Sequence, residues 1–130
     1  MNYSGIIIEE SLKNLEVLAE VAVLKTEIET VTPEHHTPWL SQWTLHTVEI
    51  SEEKVDLATK ILSQTLISQP SAWYADFKNE NTHFIIFPGK IFKINKNSQQ
   101  EYDAAKRYGI SLGIPEHQVD FHPEEKKWER

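Results

Sequence analysis

The chain has 130 residues, carries a formal charge of −7 at pH 7 and contains no cysteine. A length of this order suits one domain with one core, burying about two-thirds of the surface that its unfolded form exposes. The acidic excess repels phosphate backbones at long range, which sets DNA and RNA aside as partners, and the lack of thiols excludes disulfides, thiolate nucleophiles and Cys-based zinc sites.

In chain order, Gly5-Ile-Ile-Ile-Glu9 reads as a first strand and Ser11 to Leu18 as a short helical turn. Apolar and polar residues alternate from Val21 to Val31, as in a sheet-edge or half-buried strand. Pro33 and Pro38 bracket a loop, and Trp43 to Ile50, rich in Trp, Thr, Val and Ile, reads as the next strand. Ser51-Glu-Glu has the form of a helix start, with acids at the positive end of the helix dipole. Val55, Ala58, Ile61, Leu62 and Leu66 then recur at helical spacing and predict one helix from Glu52 to Leu66. Ala72 to Lys78, a polar turn at Asn79-Glu-Asn81 and His83 to Phe87 form a hairpin by pattern, and Pro88-Gly89 reverses the chain into Ile91 to Ile94. Ser98-Gln-Gln-Glu101 has the capping-box form for a second helix from Gln99 to Leu112, with Tyr102, Ala105, Tyr108 and Leu112 as its apolar stripe. Gly113 and Pro115 stop it.

Hairpins interrupted by two helices predict an α+β fold: an antiparallel sheet of about five or six strands with both helices packed on one face. Residues 1–123 form the expected single domain and residues 124–130 a charged tail. Lys90, Lys93, Lys96, Lys106 and Arg107 are interleaved with polar and acidic residues and read as a solvated face. No apolar run reaches the roughly 18 residues of a membrane span, and the start lacks a secretory signal, so a cytoplasmic protein with no membrane partner is expected.

Four blocks carry a resemblance: Gly5-Ile-Ile-Ile-Glu-Glu-Ser-Leu12, Thr37-Pro-Trp-Leu-Ser-Gln-Trp-Thr-Leu-His-Thr-Val-Glu-Ile50, Trp73-Tyr-Ala-Asp-Phe-Lys-Asn79, and Tyr108-Gly-Ile-Ser-Leu-Gly-Ile-Pro-Glu-His-Gln-Val-Asp-Phe121. Through them the chain resembles a small family of uncharacterised bacterial and archaeal proteins, over nearly all its length except the tail. That resemblance implies a single domain and carries no catalytic residue with it.

Chemistry concentrates between Thr32 and Ile50, where two tryptophans and three histidines crowd together. His35, His36 and His46, with Glu34 or Glu49, offer imidazole and carboxylate donors, but adjacent histidines on an extended segment point opposite ways, leaving His35 and His36 weak metal candidates. His117, Asp120 and His122 form a weaker trio. Asp76-Phe-Lys78 has half of a metal-dependent nuclease pattern, and the nearest upstream acid, Asp56, falls on a predicted helix, so an ion pair at a strand end explains it better. No cofactor is implied. A catalytic reading would use His46 as acid and base, with Glu49 or Asp76 as partner. The favoured reading is a binding or interaction module. In it the Pro33 to Gln42 loop covers one end of the sheet, and Trp39, Trp43, His46, Trp73 and Tyr74 line a cleft for a small molecule or a protein. The competing expectation is that these rings are plain core. Strand edges also suggest a homodimer.

Overall fold

The computed structural model describes residues 1–35 and 37–121, so His36, His122 and the charged stretch 124–130 lie outside the described residues. Six strands form: β1 (Tyr3–Ile8), β2 (Ala22–Thr30), β3 (Gln42–Ile50), β4 (Ala75–Lys78), β5 (Thr82–Phe87) and β6 (Lys90–Asn95). Helix α1 (Glu52–Thr65) follows β3, and helix α2 (Gln99–Ser111) follows β6. The strands make one sheet of order β2-β3-β1-β4-β5-β6, with every pairing antiparallel. The α+β class and the antiparallel sheet are therefore as the patterning predicts.

The placement of the helices differs from the expectation of one shared face. Phe84 and Ile86 of β5 belong to the cluster that holds Val55, Ala58 and Leu62 of α1, whereas Ile85 and Phe87 belong to the cluster that holds Tyr102 and Ala105 of α2. Successive strand residues point to opposite faces, so α1 and α2 cover opposite sides of the sheet. β5 is buried on both sides, which is why His83-Phe-Ile-Ile-Phe87 is buried without alternation. A helix stripe reports that one side of the helix must be covered. It carries no information on which side of the sheet covers it.

Local signals set the element ends. Gly89 takes φ 74° in the turn between β5 and β6, and Gly113 takes φ 88° just past α2, conformations that a Cβ disfavours. At Gly113 the amides of Gly113 and Ile114 return to the carbonyls of Ile110 and Gly109 at 2.9 and 3.2 Å, the paired bonds of a Schellman cap. Ser98 Oγ accepts the Glu101 amide at 3.2 Å, but the Glu101 carboxylate accepts from the Asn95 amide, so only one arm of the expected capping box closes. Ser51 occupies the start of α1 without a side-chain cap bond. Leu112, expected in the α2 stripe, is exposed, and Gly109 takes the inward position against Phe87 and Val119.

On α1 the innermost residue is Leu62, fully buried, while Ile61 is half-buried at the rim of the same cluster. Leu62→Ala is expected to cost about 3 kcal/mol and Ile61→Ala clearly less, because the cavity left at Leu62 has no solvent side into which it can relax. Urea unfolding of the two variants checks this, and equal costs would place the helix wrongly.

Candidate functional site

α2 covers the β4-β5-β6 half of its face. The loop after β2 covers Trp43 on the same face near β1, and a cleft remains in the seam. Its volume is about 140 Å³, and its walls include Ile8, Trp43, Trp73 and Tyr74, with His35 on the loop side and Gln118 beyond the end of α2. Trp43 and Trp73 lie tilted with ring centroids 5.2 Å apart, and the His35 ring stands edge-on to Trp43 at 4.2 Å. Tyr74 meets Phe121 edge-on at 5.2 Å.

Trp43, His35, Tyr74 and Gln118 of the walls are engaged in hydrogen bonds within the chain. Trp43 Nε1 donates to Thr37 Oγ1 at 2.9 Å. The Thr32 amide donates to His35 Nδ1 at 2.8 Å, and His35 Nε2 faces Glu29 Oε1 at 3.0 Å, so both ring nitrogens are held. The Tyr74 hydroxyl donates to the Gln118 carbonyl, while the Gln118 amide nitrogen donates to the Glu34 carbonyl at 3.2 Å. Gln118 thereby ties the Pro33–His35 turn to the segment after α2 at the cleft wall. Beside it, the Thr32 hydroxyl holds the Glu34 carboxyl below its ordinary value of 4.5, helped by its own backbone amide. Lys106 Nζ bridges Asp120 and Glu116 at 3.1 and 3.2 Å, and these bonds raise its pKa.

Three of the five sequence candidates for the cleft, Trp43, Trp73 and Tyr74, meet in it. Trp39 does not line it and is 45% exposed. His46 is also elsewhere: it lies on the other face of β3 from Trp43, with Nδ1 2.9 Å from Thr26 Oγ1 and Nε2 3.1 Å from Glu9 Oε1. Neither expected partner reaches it. Glu49 is three residues further along the strand and so on the opposite face, where it accepts from Asn2 Nδ2 at 2.7 Å. Asp76 pairs in register with Ile6, on that same opposite face.

Asp76 belongs to a different arrangement. His83, fully buried, lies with Nε2 2.8 Å from Asp76 Oδ2 and Nδ1 3.0 Å from the Tyr102 hydroxyl, joining β4, β5 and α2. A carboxylate oxygen can only accept, which assigns the ring proton to Nε2 and, in the neutral ring, leaves Nδ1 to accept from Tyr102. Asp56, the other acid of the nuclease pattern, is exposed on α1 and so across the sheet from Asp76. Among the described residues, no group of three or more His, Asp or Glu is placed to hold a metal ion. No described helix is long and apolar enough to cross a membrane.

Protein-family models, curated proteins and solved structures give no match to this chain. The site is therefore read from its own geometry. Sequence reasoning missed His83, His35 as a wall of the cleft, and Gln118. The only signal for His83 was its place inside an apolar run, where a polar ring must find partners. His35 and Gln118 each end a three-residue 3₁₀ turn, too short to leave a periodicity in the sequence.

Proposed function

We propose that the chain is a binding module whose cleft takes a small, planar, uncharged ring. The observation that carries this is the enclosure of about 140 Å³ between Trp43, Trp73 and Tyr74, with Trp43 Nε1, the Tyr74 hydroxyl and both His35 ring nitrogens already bonded within the chain. An apolar cavity of about 150 Å³ accommodates benzene, so the size fits one ring with few substituents. The hydrogen bonds already spent at Trp43, His35 and Tyr74 disfavour a charged guest, which would lose more hydration than the cleft returns. Acid–base chemistry at His46 has less support, since the ring nitrogens face Thr26 and Glu9 and its proposed partners lie across the sheet. A cytoplasmic setting, and membership of the bacterial and archaeal family that the four blocks resemble, belong to the same proposal.

The test is titration with benzene and with phenol, followed by NMR of the indole N–H groups. Signals of Trp43 and Trp73 are expected to move while that of exposed Trp39 stays still. Ala72→Phe, which projects a ring into the cleft from a half-buried wall position, is expected to abolish the response. No movement with either probe, or an unchanged response in A72F, overturns the proposal.

A further inference from the structure

β2 is the outer strand of the sheet, and all nine of its residues are exposed. Such an edge presents open N–H and C=O groups to any strand that can align with it. The pairing of β2 with β3 sorts its side chains. Thr26 and Ile28 share the face of His46 and Thr44, while Lys25 and Glu27 share the face of Thr47 and Leu45. A bulge lies between Val23 and Lys25, with Leu24 as its extra residue. The Thr26 face of the edge offers Ile28, 66% exposed, and Leu24 at the bulge is 62% exposed. The other face offers Lys25 and Glu27, which pair with each other within the chain, and Glu29, which faces His35.

This stretch is self-complementary. About a two-fold axis through Thr26, antiparallel pairing with a second copy sets Leu24 against Ile28 and Lys25 against Glu27, each contact occurring twice. We propose that two copies of this chain join edge to edge along β2 in this register, making one continuous sheet. Two Leu24–Ile28 contacts then form, flanking the paired Thr26 residues, together with two Lys25–Glu27 ion pairs, the cross-strand contacts that stabilise a sheet. Charges on an edge strand ordinarily prevent such pairing. Here their order, basic then acidic on either side of Thr26, turns that defence into a match with a second copy. The opposite edge lacks this property: β6 carries Lys90 and Lys93 and no acid, so self-pairing gains no ion pair. The formal −7 on each copy opposes association at long range, but salt screens that repulsion beyond about 8 Å at physiological ionic strength, which leaves the local match to decide.

Sedimentation velocity from micromolar to millimolar protein tests the proposal. The parent chain is expected to dimerise. K25E alone sets acid against acid and E27K alone sets lysine against lysine, and each is expected to weaken self-association by about tenfold or more. An equimolar mixture of K25E and E27K is expected to recover the dimer, as is the double variant K25E/E27K, because opposite charges face each other again in both. Recovery on mixing also shows that each variant is folded. A parent that stays monomeric throughout, a dimer that neither single swap weakens, or a mixture that fails to recover overturns it.

Discussion

His83→Leu is expected to destabilise the protein by about 3–5 kcal/mol, although leucine nearly matches the ring in size. The cost arises at its neighbours. Asp76 Oδ2 loses the Nε2 donor at 2.8 Å and the Tyr102 hydroxyl loses the Nδ1 acceptor at 3.0 Å, both in a buried seam. Polarity matched on both sides offsets itself, whereas polarity left on one side does not. D76L/H83L is therefore expected to cost less than the sum of D76L and H83L, by about 2 kcal/mol. Chemical denaturation of the three variants measures this coupling. Additive costs would show that the pair is not an energetic unit.

Gly5→Ala is the second large effect, on the order of 3 kcal/mol. A Cβ on Gly5 would stand 2.3 Å from the Asp76 carbonyl oxygen and 2.6 Å from Phe77 Cδ1. The Phe77 ring occupies the space that a side chain would take, as aromatic neighbours often do over a strand glycine. A ring can be exchanged for something smaller, but the carbonyl belongs to the backbone of β4, which is hydrogen-bonded to β1 at the centre of the sheet. Phe77→Leu is therefore expected not to rescue G5A. A Tm for G5A within a degree of the parent, or full rescue by F77L, would mean that β1 and β4 approach less closely than described.

Much of this fold is legible locally. The α1 stripe, the Gly89 turn, the Gly113 stop and the Ser98 cap follow from periodicity, from backbone freedom and from the reach of one hydroxyl. The strand at Ala22–Thr30 is legible from its alternation, which suits an edge or a half-buried strand alike, and the sheet order places it at the edge. The aromatic part of the cleft was legible by residue type, since large rings with polar tips rarely stand alone on a surface.

Other features depended on distance in space. Which histidine meets Trp43 was decided by the short 3₁₀ turn Pro33–His35, which brings His35 inward, while strand alternation sends His46 to the far face. Asp76 and His83 meet because the hairpin register sets Lys78 opposite His83, which puts Asp76 diagonally beside it on one face. A slip of one residue in that register would have separated them. The sequence by itself determined where the chain turns and which side of α1 avoids water, because those are interactions among near neighbours. Only the tertiary structure decided that the helices lie on opposite faces, that His83 closes a network with Asp76 and Tyr102, and that Gln118 joins the Pro33–His35 turn at the cleft wall. Those contacts join residues far apart in the chain, and their pairing follows from how sheet and helices pack together.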